Sequence, residues 1–373
     1  MERYTIDERK FLEQSDVFID LALQEFGFQS LNDLPLAAQR RHPSPLPAIP
    51  LERSSRLSRE ERRKLADAFW GPEGVAHFID LSPPERPYDR HPIFLLAEQL
   101  SDDLPLRFPI QHPLEAHMES VRRFGPSDGT RKIYDLPIDD VAARYREQNE
   151  TSEQFSSHND GLGYGGCIEA FMLYAESCPL WGGYTYFQNT LRVALQLAIE
   201  DPAMFRSMFL PDAITVTRPR GKGAIRVKSP ILFLGEFGQP QVFFRVSSGE
   251  YVVETRDDPL VLRGYQYLAE HCMPFAPSST FINFSRRGFG CIVRNNVINH
   301  GRTRFMDDPD HGFVRVLSRK WFVSHEKHTE YKHVPGMFVL KKYAAIFPEQ
   351  FGENVLSGEW HWNAENGCNK KIR

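Results

Sequence analysis

The chain has 373 residues, 41% hydrophobic and 25% charged, with a net charge of −4; that is enough for one large core with embellishments or for two average domains. The acidic balance and the lack of a basic stripe disfavour a nucleic-acid partner, and without a run of about 18 apolar residues no membrane span is expected. The first residues, MERYTIDERKFLEQ, are charged and carry no apolar stretch of the kind that opens a secretory signal, so a cytoplasmic enzyme is expected.

In chain order, Lys10 to Gln29 places apolar residues near helical spacing, and Gly27 follows their densest part. Leu34 to Pro50 is Pro-rich and reads as an extended connector. Ser58 followed three residues later by Glu61 is a capping-box pattern that opens a helix running to Phe69. Residues 81–114 alternate prolines with apolar pairs and read as loop with short strands or turns, and 136–150 reads as a short helix. Cys167 to Glu176 is a continuous apolar run, as in a strand buried on both faces, and Gly182-Gly183 turns the chain into the aromatic strand YTYFQN. Leu191 to Phe209 is helical by period. From there to Phe322 short β-like runs dominate (AITVTRP, GAIRVKSPILFLG, PQVFFRVSS, EYVVET, STFINFS, GCIVRNNVINHG and FVRVLSRKWFV), broken by one helix around Pro259 to His271. Many short strands with Gly/Pro punctuation, and 12% aromatic residues, predict a mainly β fold of sandwich or jelly-roll type with flanking helices. The five cysteines, Cys167, Cys178, Cys272, Cys291 and Cys368, lack metal-site spacing and are expected to be reduced thiols.

Three segments carry chemistry. In His158-Asn159-Asp160 an imidazole and a carboxylate stand two residues apart, and on a strand end such a pair faces one point. His300 follows the apolar-alternating run CIVRNNVIN. Two imidazoles and one carboxylate on one face of a metal leave three positions open, the arrangement suited to ferrous oxygen chemistry. Arg315 and Arg319 follow in FVRVLSRKWF, where strand spacing predicts that both guanidiniums share a face; each offers a planar fork of donors for a carboxylate. Taken singly each segment is a weak signal. Their order along one β-rich stretch is what gives them weight.

With these motifs the stretch 155–323 resembles the taurine dioxygenase and clavaminate synthase superfamily of Fe(II)/2-oxoglutarate oxygenases. The resemblance rests on HND, LYAESCPLWGGYTYFQN, and NNVINHGRTRF followed by FVRVLSRKWF. It implies a double-stranded β-helix (a jelly-roll, cupin-like core) with iron held by His158, Asp160 and His300. It further implies that the distal carboxylate of 2-oxoglutarate meets Arg315 and the hydroxyl of Thr185, with Arg319 on the co-substrate or on an acid group of the substrate. Asp160 matches the taurine-like branch, where clavaminate-like members carry Glu, and its presence disfavours halogenation. The implied organisation is an N-terminal mixed region, 1–135, packing on an oxygenase core, 136–345, with a tail, 346–373, as one integrated catalytic domain.

The reaction implied is oxidative decarboxylation of 2-oxoglutarate with O2, coupled to oxidation of an unactivated C–H bond, with hydroxylation, desaturation and ring closure all open. The expected substrate is a small molecule of secondary metabolism, best an amino acid, free or carrier-tethered, or another acid-bearing metabolite. Gln154, Asn159, Arg245 and Arg319 are the candidate substrate contacts. Competing readings are a zinc hydrolase on the same three ligands, a non-catalytic jelly-roll binding protein, and, more remotely, Cys-His catalysis through Cys167 or nucleic-acid demethylation.

Overall fold

The computed structural model describes all residues except 1–4, 35–41, 111–127, 137–147, 162–167, 219–224, 236–237, 249–250, 325–328, 332–337, 341–357, 364–367 and 372–373, and side chains are described as far as residue 324. The helix expected over 136–150 falls mostly outside the described residues, as does Cys167; within it only a 3-10 turn at Gln148–Glu150 is seen.

Among the described residues, two sheets position the site. The smaller has five strands in the order Ser44–Pro45, Thr280–Ile282, Thr185–Asn189, Ile298–Arg302 and Phe155–His158. The larger has nine and is centred on Phe289–Arg294, Ala170–Ser177 and Val316–Val323, with Arg131–Ile133 and Phe108–Ile110 both paired to the last of these. Every residue from Ala170 to Glu176 is buried, because this strand is covered on both sides. Phe171 and Leu173 face the smaller sheet and join a core with Phe187, Ile298, Leu317 and Trp321. Met172 and Tyr174 face the other way, into a core closed by Leu65 and Phe69 of one helix and by Ile93, Leu96 and Leu100 of another.

The first of these helices, Arg59–Trp70, begins where the capping box predicts, with Ser58 accepting from the Glu61 N–H and Glu61 returning to Ser58. The second, Pro92–Leu100, corrects the reading of 81–114 as loop. His91 caps it through the Ile93 N–H, and Pro92 occupies a first-turn position where no N–H is needed. The helix expected over 191–209 is two, Thr190–Glu200 and Pro202–Ser207, because Asp201 ends the first and caps the second. The helix Ile6–Glu25 starts earlier than its apolar spacing suggests, on a Thr5–Glu8 capping box. It packs Leu12, Phe18 and Ala22 into the main core. Among the described residues no helix is long and apolar enough to cross a membrane.

Candidate metal centre

Pairing across the smaller sheet sets out a row of residues. Phe187 pairs with His300, His300 with His158, and His158 with Arg245. Directly paired residues point to the same face, so one row presents two imidazoles flanked by a phenyl ring and a guanidinium. That face looks onto the larger sheet, and the His300 ring lies 4.5 Å from the ring of Phe171. The chain turns sharply after His158, helped by Gly161 at φ 83°. The turn swings Asp160 back so that its Oδ1 lies 3.4 Å from His158 Nε2 and 3.8 Å from His300 Nε2. One ligand atom from each of the three residues lies within 4.8 Å of the others, and all three residues are buried. Adjacent ligands of a metal with bonds of about 2.1 Å stand about 3 Å apart, so the group is slightly open relative to a filled site.

The protonation states suit a cation. His158 Nδ1 lies 2.8 Å from the Ser156 carbonyl, which places the proton there and leaves the Nε2 lone pair for a metal. Burial, and then the nearby Arg245 charge, lower the pKa of His158; burial, with the Arg319 and Arg245 charges nearby, holds His300 well below the ordinary histidine range. Both imidazoles are therefore neutral. Burial opposes ionisation of Asp160, but the Arg319 guanidinium outweighs it and holds the carboxyl well below its usual range. Two donors meet this carboxylate from the larger sheet. Trp321 Nε1 donates to Oδ2 at 2.6 Å, and Arg319 Nη1 donates to Oδ2 at 3.0 Å and to Oδ1 at 3.2 Å.

Three asparagines brace the loops that carry the site. Asn159, expected as a substrate contact, is turned away from the metal-facing side and fully engaged. Its Nδ2 donates to the carbonyls of Asn295 and Ile298, and its Oδ1 accepts the Phe244 N–H. The Asn295 side chain accepts the Asp160 N–H and donates to the Asp160 carbonyl. Asn299 donates to the Phe244 carbonyl and accepts from Thr190 Oγ1. The two ligand-bearing segments and the segment leading to Arg245 are thus tied into one unit. Gln154 is exposed and lies outside the buried centre.

The expected sharing of one strand face by Arg315 and Arg319 is corrected. Arg315 precedes the strand, which begins at Val316, and the pairing with Ala170–Ser177 shifts register between Val316 and Leu317. That irregularity breaks the simple alternation. Arg319 reaches Asp160, whereas Arg315 lies over the Phe305 ring at 5.1 Å and beneath Gly183. A Cβ at Gly183 would sit 3.1 Å from Arg315 Nε, on a backbone at φ 72°, so glycine is required there on both counts. Arg315 is buried, and its Nε and Nη1 have no hydrogen-bond partner among the described residues. Burial lowers its pKa to about 10 despite the charge of Asp307. Buried polar atoms are nearly always paired, so these two nitrogens are donors of the kind that suit an anion. Thr185 is buried and pairs with Arg302, which stands two residues beyond His300 on the same face. Arg302 is itself held by the carbonyls of Asn149, Thr151 and Glu153.

Residues that sequence reasoning passed over are Trp321, Asn295, Asn299 and Arg302. Trp321 and Arg302 lie inside quoted motifs, two residues from Arg319 and His300 respectively. Same-face spacing on a strand was the available signal for them; the two asparagines had none.

No protein-family model matches the chain. It is 30% identical over 164 residues to a uridine-5'-phosphate dioxygenase from Streptomyces sp. The matched stretch is 43% of this chain and 58% of that relative. Among solved structures it is similar to asparagine oxygenase in complex with Fe(II), 2S,3S-3-hydroxyasparagine and succinate, with a TM-score of 0.53 at 16% identity, covering 90% of this chain and 98% of that one. It is also similar to the non-heme iron oxygenase OrfP in complex with Fe, succinate and (3R,4R)-dihydroxy-L-Arg, with a TM-score of 0.51 at 16% identity, again over 90% and 98% of the two chains. The fold is that of the non-haem iron oxygenases.

Proposed function

We propose that this protein is an Fe(II)/2-oxoglutarate-dependent oxygenase that oxidises an unactivated C–H bond of a small, acid-bearing molecule, with hydroxylation as the leading outcome. One observation carries the reading: two imidazoles and one carboxylate converge within 4.8 Å in a buried site, and the buried Arg315 has two nitrogens without a hydrogen-bond partner among the described residues. In this reading His158 Nε2, Asp160 Oδ1 and His300 Nε2 hold iron. Arg315, with Thr185, receives the distal carboxylate of 2-oxoglutarate as a charge-assisted, forked contact. When bound, the iron and co-substrate supply the oxidising chemistry; the protein orients both substrates and keeps water out. The two facing sheets form the double-stranded β-helix, and residues 1–135, 136–345 and 346–373 act as one integrated catalytic unit.

Arg245 is the proposed anchor for the substrate's acid group. It is buried, stands beside His158 in the sheet row, and its guanidinium lies 3.6 Å from the Tyr251 ring and 5.6 Å from that of Phe155. An amino-acid substrate, free or carrier-tethered, agrees with the hydroxylated amino acids bound in the structural neighbours. A phosphate ester, as named for the Streptomyces relative, would use the same buried cation. A zinc hydrolase has no use for the Arg315 site, which is why that alternative is not preferred. The free, buried thiols of Cys272 and Cys291 support a reducing, cytoplasmic setting.

The test is release of succinate from 2-oxoglutarate with Fe(II) and ascorbate, screened against amino acids and nucleoside monophosphates. Succinate formation stimulated by one class names the substrate. No succinate under any condition, with zinc retained after anaerobic purification, would overturn the proposal in favour of a hydrolase.

A further inference from the structure

The surroundings of Asp160 Oδ2 decide how the carboxylate meets a metal. A carboxylate oxygen has two lone-pair directions. At Oδ2 one receives the Trp321 indole N–H at 2.6 Å and the other the Arg319 guanidinium at 3.0 Å, whose Nη1 also lies 3.2 Å from Oδ1. Oδ1 is the oxygen turned to both histidines. Trp321 and Arg319 stand two residues apart on the strand Val316–Val323, so both project from the same face. Trp321 is buried and packed in the main core, and the Arg319 guanidinium lies 4.8 Å from its ring centroid. The two donors therefore support each other.

We propose that Trp321 and Arg319 form a clamp that holds Asp160 Oδ2 out of the metal's reach, so that Asp160 binds iron through Oδ1 alone. The inference rests on reading the site as a ferrous centre. It places Arg319 Nη1 on the metal ligand, and it gives Trp321 a role as a positioning residue. With Oδ2 occupied, the carboxylate takes one position on the metal, leaving three for the chelating co-substrate and for oxygen. Released, the same carboxylate could swing to hold the metal through both oxygens and close one of those positions.

The experiment uses the full chain, metal-free and then loaded with Co(II) or Fe(II), comparing wild type with Trp321→Phe and Arg319→Lys. Phe keeps an aromatic ring in the core while removing the N–H with part of the indole, and Lys keeps the charge without the planar fork. Three readouts avoid turnover: metal affinity by calorimetry, the Co(II) ligand-field spectrum, and the carboxylate stretching bands in metal-bound minus metal-free infrared difference spectra. The expected wild-type pattern is that of a one-oxygen carboxylate. In Trp321→Phe the affinity should fall roughly 10-fold to 100-fold, as when a partner of a metal ligand is lost, and the bands should shift towards two-oxygen binding. Arg319→Lys should move the same readouts by a smaller amount. If Trp321→Phe has too little folded protein to titrate, Arg319→Lys carries the test through its spectrum. A two-oxygen pattern in the wild type, or affinity within twofold and unchanged spectra in both variants, would overturn the clamp and leave the iron reading intact. Failure of the wild type to bind Fe(II) or Co(II) would overturn both.

Discussion

On one face of the strand Val316–Val323, Arg319 and Trp321 reach Asp160; on the other, Ser318 reaches Glu176. Each face holds a group with metal-ligand chemistry: the buried His158, Asp160 and His300 on the first, and on the second the buried His91 and Glu176 with the half-buried Asp128. Their atoms fall within the same 4.8 Å limit, yet the second group has its cation built in. The Lys132 ammonium lies 2.5 Å from Asp128 Oδ2 and 3.3 Å from Glu176 Oε1. His91 has no lone pair to offer, since its Nε2 lies 2.7 Å from Glu176 Oε1 and its Nδ1 accepts the Ile93 N–H. Glu176 also accepts from Tyr88 and Ser318. A closed network of this kind fixes strand register and helix position. The group at Asp160 also has a cation beside it, Arg319, but there the His158 Nε2 keeps its lone pair, because its Nδ1 faces the Ser156 carbonyl. Residue types alone do not make a metal site; the fate of each lone pair does.

The comparison can be broken most directly at Asp160. Asp160→Ala should abolish Fe(II)-dependent succinate formation and remove the rise in thermal midpoint that Fe(II) gives the wild type. A full equivalent of iron still bound to Asp160→Ala would move the metal to the second cluster.

Arg315→Ala should raise the KM for 2-oxoglutarate by about 100-fold, the loss of about 3 kcal/mol of charge-assisted bonding, while leaving Fe(II) affinity unchanged. A KM within a few-fold of wild type would take the co-substrate away from Arg315.

Glu176→Gln should do the reverse, lowering stability in urea by about 3 kcal/mol through an uncompensated buried network with little change in Fe(II) affinity. A large loss of iron binding in a folded Glu176→Gln would erase the distinction between the two faces.

The smallest effect expected is on pH. Burial lowers the His91 pKa from 6.5; burial opposes but the His91, Lys132 and Ser318 partners hold the Glu176 carboxyl far below 4.5. Both groups bind protons more readily in the unfolded chain, so their stabilisation is present at neutral pH and declines as pH falls, from about 6.5 for His91 and from about 4.5 for Glu176. Urea midpoints measured from pH 7 to pH 4 should fall, and less steeply in Glu176→Gln. An equal slope in both proteins would remove Glu176 from the linkage.

Much of the architecture could be read locally. The capping box at Ser58, the helix Pro259–His271 and the strand under LYAES all follow from short-range patterns. The helix Pro92–Leu100 did not, because a proline that opens a helix and one that breaks a loop look alike until the residues after it are seen to pack. The same limit explains the site. His158, Asp160, His300 and Arg315 lie in recognisable motifs, whereas Asn159 could be placed in a brace only once Phe244 and Asn295 were known to lie beside it.

The amino-acid sequence by itself determined the donor set, the β-rich class and the order of the motifs, because these depend on residue type and short-range period. Tertiary structure decided which histidine nitrogen is free, which oxygen of Asp160 faces the pair, and which arginine keeps unpaired nitrogens. Those outcomes turn on strand pairing between residues more than a hundred positions apart, as between His158 and His300, and on a one-residue register shift at Val316. A shift of that size redirects side chains across a sheet, and no local pattern in the chain records it.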